Sequence, residues 1–321
     1  MPSTLDTLAR TIVVALGGNA ILQPGQLGTF EEQLVNVDLA TRHIARLAAD
    51  GWKVVLTHGN GPQVGNLLIQ QVAAAKLVAP MPLDVCGAES QGQIGYMLEQ
   101  TMHNHLRRLK LDVPVASLLT QVVVDAHDPA FDTPSKPVGP FYSEAEARTK
   151  MLEEGFAMRD DAGRGWRRVV PSPEPQEIVP LRAVGELLRA GTLVICSGGG
   201  GIPVVRGRDG GLSGIDAVID KDLAAAKLAA GVAADTLLML TDIPNVCLDY
   251  GTPTERPLTT VALADMETYA AAGHFKAGSM GPKVEAALRF ARGGGRAVIA
   301  SLRDVVPALA GEAGTRIAID A

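Results

Sequence analysis

Three short apolar runs in this chain each end in glycine, and the residues just beyond them could hold an anionic oxygen. Ile12-Val13-Val14-Ala15-Leu16 runs into Gly17-Gly18-Asn19. Residues 53–56 run into Thr57-His58-Gly59-Asn60-Gly61, and residues 193–196 into Ser197-Gly198-Gly199-Gly200-Gly201. Successive apolar, β-branched residues make a buried strand. Glycines then let a ligand approach the backbone and leave N–H groups converging on one spot. Any one of these segments also suits an ordinary tight turn leaving a strand. Three of them along one chain point to a row of backbone donors suited to phosphate. The matching cations are Lys136 in Pro134-Ser135-Lys136-Pro137, Lys221 in Ile219-Asp220-Lys221-Asp222, and Lys283 after Met280-Gly281-Pro282. A lysine is more often a solvated surface charge, and Asp222 alone reads better as an acid in a helix's first turn. These lysines stand out by position, each beside a Gly/Pro turn or a helix start.

Other chemistries find no support. There is no GxxxxGK[ST], and glycines at 59, 61 and 65 miss the GxGxxG spacing. The six histidines show no HExxH pattern, and His103 and His105, two apart on a helix, face different ways. His58 is either a site residue or part of its turn. No GxSxG elbow is present. The three cysteines, Cys86, Cys196 and Cys247, lack metal-ligand spacing and read as buried thiols in a reducing cytoplasm. A net charge of −6 without a basic run argues against nucleic acid as partner. No apolar stretch reaches the roughly 18 residues of a membrane span, and residues 1–10 lack a signal-peptide pattern.

The elements that must position these residues alternate. At 47% hydrophobic and 20% charged, the 321 residues read as globular, with a length prior of about two domains. Thr29 and Glu32 have capping-box spacing, so a helix should follow and stop at Gly51. Further helices are expected over 90–109, 182–190, 221–230, 261–272 and 282–292. Strands are expected within 113–124 and over 236–240, 297–300 and 317–319. Strands alternating with helices imply right-handed βαβ units and a parallel sheet, with a site across its carboxyl edge. Residues 125–180 interrupt the pattern with recurrent Pro and Gly and a crowd of charges over 144–161. They read as an inserted lid too polar for a large core, with Phe141, Tyr142 and Trp166 favouring order.

The chain resembles the carbamate kinases of the amino-acid-kinase superfamily over nearly its whole length. The resemblance is carried by Ala15-Leu16-Gly17-Gly18-Asn19-Ala20, Thr57-His58-Gly59-Asn60-Gly61-Pro62-Gln63-Val64-Gly65 and Met81-Pro82-Leu83-Asp84-Val85-Cys86-Gly87-Ala88. It continues through Lys136-Pro137-Val138-Gly139-Pro140-Phe141-Tyr142, the 161–173 segment, the 198–203 turn, Ile219-Asp220-Lys221-Asp222 and Gly278-Ser279-Met280. Many superfamily relatives carry lysine where this chain has Ala15, and in the carbamate kinase branch the insert's lysine, here Lys136, takes over part of that charge.

The resemblance implies an α/β fold: a three-layer αβα sandwich around an open, mainly parallel sheet with an inserted protruding subdomain. It implies an N-terminal lobe (1–124 and 181–215) on the carbamate side, a lid (125–180) and a C-terminal nucleotide lobe (216–321). The reaction implied is reversible phosphoryl transfer between ATP and carbamate, giving ADP and carbamoyl phosphate with Mg²⁺ held mainly by phosphate oxygens. Catalytic roles fall to Lys136, Lys221, Asp222 and Lys283, with Asp222 orienting the lysines. Substrate binding falls to Gly17, Gly18, Asn19, Gly59, Asn60, Gly61, Gly199 and Gly200, with backbone and amide donors around the phosphoryl group. The nucleotide is expected near Lys221, Thr241, Asp242, Met280 and Lys283. A cytoplasmic homodimer making ATP during arginine or ureido-compound breakdown is expected, with no nucleic-acid or membrane partner. A sister kinase of another small carboxylate or phosphonate, or an inactive nucleotide-binding regulator, are the alternatives. The departures are Lys276-Ala277 before Gly278, and Glu89.

Overall fold

The computed structural model describes residues 10–161, 163–275 and 280–318. Nine helices occur among them: α1 Phe30–Ala49, α2 Gly61–Ala74, α3 Leu83–Arg108, α4 Glu144–Glu153, α5 Leu181–Arg189, α6 Lys221–Gly231, α7 Leu263–Ala271, α8 Met280–Arg292 and α9 Val305–Ala310. An eight-stranded sheet runs through the middle. Its strands, in spatial order, are Thr260–Ala262, Thr315–Ala318, Arg296–Ser301, Thr236–Thr241, Thr11–Leu16, Lys53–His58, Leu193–Ile195 and Val115–Ser117. Pairing is parallel from Arg296–Ser301 through to Val115–Ser117, while Thr315–Ala318 pairs antiparallel with Arg296–Ser301.

The period-two alternation of strand side chains builds the three layers. From the Thr11–Leu16 strand, Val13 and Ala15 face a core that includes α5, α6 and α8 residues Val184, Ala224, Leu228, Val284 and Ala287. Ile12, Val14 and Leu16 face the other core, filled by Val37 and Ile44 of α1, Ile94 and Met97 of α3, and Val305 of α9. Both cores are completely buried at their centres, which is why these strands read as continuous apolar runs. The expected αβα sandwich is therefore present. So is the capping box: the Glu32 N–H bonds Thr29 Oγ1 at 3.3 Å, while Glu32 Oε2 accepts the Thr29 N–H at 3.1 Å.

Several expectations need correction. The helix expected from residue 90 begins at Leu83, with Pro82 as its N-cap. The helix expected over 261–272 opens as the edge strand Thr260–Ala262 and turns helical only at Leu263. The 113–124 region supplies two strands that go to different sheets. Gln121–Val123 belongs to a second sheet with Ile202–Arg206, Leu212–Gly214 and Glu177–Ile178. Ile319, expected in the last strand, lies outside the described residues, as do Lys276, Ala277, Gly278 and Ser279.

The insert folds as three antiparallel strands, Lys136–Tyr142, Trp166–Val170 and Met158–Asp160, with α4 beside them. Its own buried apolar residues are few, and Val138 and Val170 pack with Val64 of α2 and Leu83 of α3. The insert thus completes its core on the body. Its aromatic rings carry cations instead: Arg168 lies 3.9 Å from the centre of the Phe156 ring and Lys150 5.1 Å from that of Tyr142.

Candidate active site

The carboxyl ends of the parallel strands open into a cleft of about 440 Å³ roofed by the insert. All the residues given catalytic, substrate-binding or nucleotide-binding roles from sequence line it, except Gly200 and Met280. Gly200 is buried behind its turn, where a Cβ would stand 2.5 Å from the Ile219 carbonyl oxygen, and Gly201 lines the cleft instead. Met280 opens α8 and packs against the α5/α6/α8 core.

The glycine turns pack too closely to admit side chains between them. A Cβ on Gly59 would lie 3.1 Å from the Gly18 nitrogen, and one on Gly199, at φ +66°, would strike the Asn60 side-chain amide at 2.1 Å. Two of the N–H groups expected to serve an anion have partners within the protein: Gly17 donates to Leu240 O at 3.1 Å and Gly59 to Leu16 O at 3.0 Å. What these two offer the cleft is the absence of a side chain. The Asn19 amide donates to the Asp242 carboxylate, joining two strand ends, and the Asn60 amide donates to Ser90 Oγ at 2.8 Å.

Buried polar groups brace the third turn from behind. Thr57 Oγ1 donates to Ser197 O at 2.8 Å and Gln91 Nε2 to Gly198 O at 2.8 Å, while Ser197 itself adopts a left-handed conformation. Ser90 and Gln91, both on α3, carried no motif signal of their own. His58 belongs to this scaffold: it is buried beneath Gly198, whose Cβ would fall 2.3 Å from Nε2. Burial pushes its pKa down to about 4, against the opposing effect of the Gly59 carbonyl, so the ring is neutral at pH 7. It does not line the cleft.

The charges gather at the start of α6. Asp222 receives Lys221 Nζ on Oδ1 at 2.7 Å and Lys283 Nζ on Oδ2 at 2.8 Å. Burial alone would raise the Asp222 pKa, but the two ammonium groups outweigh it and hold the carboxylate below its usual range. Burial pushes Lys221 down to about 8; Asp222 opposes that shift and Lys283 adds to it. For Lys283 burial also disfavours the charge, but the Asp222 carboxylate prevails and its pKa is raised. From the insert, Lys136 Nζ reaches Asp220 Oδ2 at 3.0 Å. Asp220 was not singled out from sequence. Its one available signal was its place just before α6, where Asp is a favoured N-cap.

Asp220, Asp222 and Asp242, the cleft's carboxylates, are thus all engaged by protein donors. Among the described residues no group of three or more His, Cys, Asp or Glu is arranged to hold a metal. Such a cleft fits an ion carried on phosphate oxygens and water, the usual habit of Mg²⁺.

Lysines aimed at a glycine-rich cleft at the carboxyl edge of a parallel sheet define a phosphate-handling α/β enzyme. Residues 10–301 match the model of the amino acid kinase family. A carbamate kinase from Thermococcus kodakarensis is 51% identical over 96% of this chain and 99% of its own length. Carbamate kinase 2 of Enterococcus faecalis is 47% identical, over 91% and 94% respectively. Carbamate kinase from Giardia lamblia bound to AMP-PNP superposes with a TM-score of 0.93 at 47% identity, covering 97% of this chain and 98% of that one. The chain belongs to the amino acid kinase family, and within it to the carbamate kinases.

Proposed function

We propose that the protein transfers a phosphoryl group reversibly between ATP and carbamate, producing ADP and carbamoyl phosphate. The observation that carries this reading is the cluster of Lys221, Lys283 and Lys136 held by Asp222 and Asp220 in one glycine-lined cleft. Carbamate is already an anion. Its oxygen attacks the γ-phosphorus, the bond from that phosphorus to the β,γ-bridging oxygen breaks, and ADP leaves with the electron pair. No proton has to be removed, which accords with a cleft whose carboxylates are engaged and whose lining contains no histidine. Catalysis is then positioning and charge stabilisation.

In this reading Gly17, Gly18, Asn19, Gly59, Asn60, Gly61 and Gly199 surround carbamate and the transferred group, with Gly200 as backbone support. Lys136 meets the carbamoyl phosphate. Lys221 and Lys283 take the nucleotide's phosphates, near Thr241, Asp242 and Met280. Mg²⁺ carried on the nucleotide's phosphate oxygens would supply charge neutralisation there. The division into a carbamate lobe (1–124 and 181–215), a lid (125–180) and a nucleotide lobe (216–321) is part of the proposal. So are a cytoplasmic homodimer and net ATP synthesis in arginine or ureido-compound catabolism, which rest on likeness to the carbamate kinases.

The direct test is ATP formation from ADP and carbamoyl phosphate, with acetyl phosphate in parallel. Turnover on carbamoyl phosphate well above that on acetyl phosphate is expected. Activity on acetyl phosphate alone would indicate a sister kinase, and no activity on either would leave a nucleotide-binding protein.

A further inference from the structure

The insert's sheet meets the body's nucleotide side at residues 216–220, apart from the Glu174–Arg289 pair further along the insert. Arg168 of the Trp166–Val170 strand pairs with Asp216. The Val218 N–H donates to the Pro171 carbonyl at 3.0 Å. Lys136, opposite Val170 in strand register, reaches Asp220. The segment then becomes α6, whose second residue, Asp222, carries Lys221 and Lys283.

Asp220 has two separate tasks. Its Oδ1 accepts the N–H groups of Asp222 at 3.0 Å and Leu223 at 3.4 Å, capping α6, while Oδ2 accepts the Lys136 ammonium. An N-cap carboxylate is held by the helix it caps. It therefore cannot follow a lysine that moves; the lysine must come to it. Lys136 keeps a side chain one-third exposed, against 14% for Asp220, so the anchor is the more buried partner and the insert's residue the movable one.

We propose that Asp220 is the positioning residue for Lys136: a fixed acceptor at the start of α6 that sets the insert's ammonium in the cleft, beside the two lysines that Asp222 aligns. One helix start then orders all three cations, through carboxylates two residues apart. This rests on the reading that Lys136 serves the transferred phosphoryl group.

The test is a double-mutant cycle in the ATP-forming direction. Asp220→Asn keeps the cap, since Asn caps as well as Asp, but removes the charge facing Lys136. It should lower kcat about tenfold or more. The KM for ADP should stay within about twofold and the melting temperature near the parent's. In a Lys136→Met background the same substitution should have no further effect on kcat. Asp220→Ser, another good cap, should behave as Asp220→Asn does and guards against a folding defect in one variant. An equal loss from Asp220→Asn with and without Lys136, or none in the parent, overturns the proposal while leaving the role of Lys136 standing. Full turnover by Lys136→Met alone would overturn that role, and with it the proposal.

Discussion

At the residue scale, the informative feature is a buried lysine whose charge is only just maintained. Burial pushes the Lys221 pKa down to about 8, opposed by Asp222 and assisted by Lys283. A phosphate entering the cleft would favour the ammonium form, so nucleotide binding and protonation are linked. The sign follows: below about pH 8 the ammonium is present in the free protein, and above it binding must take up a proton. ADP affinity is expected to fall as pH rises through 8, measurable by titration calorimetry between pH 7 and 9. With Lys221→Arg the fall should vanish, because guanidinium stays charged throughout. A pH-independent affinity in the parent would show that Lys221 does not meet the nucleotide. The lysines themselves were legible in sequence from their positions beside turns and helix starts. Their carboxylate partners were only half legible: Asp222 was named, Asp220 was not. Nothing in a sequence says that a cap's second oxygen faces a strand more than 80 residues away.

At the element scale, the middle glycine turn packs against both of the others. Gly199, at φ +66°, lies where a methyl group would overlap the Asn60 amide, and Gly59 packs on Gly18. Gly199→Ala is expected to displace Asn60 from the cleft and lower kcat/KM about a hundredfold, the order of loss from misplacing a site group by about an ångström. Circular dichroism should show the fold retained. Unchanged kinetics would mean that the turns need not touch. Elements with strong local signals were read correctly, as with the capped α1 and the apolar Thr11–Leu16 and Thr236–Thr241 strands. The start of α3 was missed because Pro80, Pro82 and Gly87 mimic a loop, although Pro82 serves as N-cap to the helix. The second sheet was missed because its strands are two to five residues long and are specified by their neighbours.

At the scale of the whole molecule, one continuous sheet joins both halves of the chain, and the insert leans on it without a large core of its own. A second cavity of about 830 Å³ lies between the insert and α2, bordered by Leu68, Val72, Tyr142 and Phe156. No set of protein carboxylates binds the halves through a metal among the described residues. Magnesium should therefore matter to turnover and not to folding. Adding EDTA is expected to abolish ATP formation while shifting the melting temperature of the nucleotide-free protein by less than about 1 °C. Excess Mg²⁺ should restore activity. A large loss of stability would instead reveal a structural metal.

By itself the sequence determined the alternation of strands and helices and the glycine turns, because strand period, caps and turn residues are local properties written in neighbouring positions. The layers and the chemistry were implied by the resemblance to the carbamate kinases. Gly17-Gly18, Gly59 and Gly199 could be recognised one turn at a time. Only the tertiary structure decided which backbone groups remain open to a ligand, since the N–H groups of Gly17 and Gly59 are taken by strand-end carbonyls. It also brought Lys136, Lys221 and Lys283 to the start of one helix. Charge pairs of that kind join residues 84 and 61 positions apart. Their partners are set by how the insert and two helices pack around the sheet edge, which no local pattern specifies.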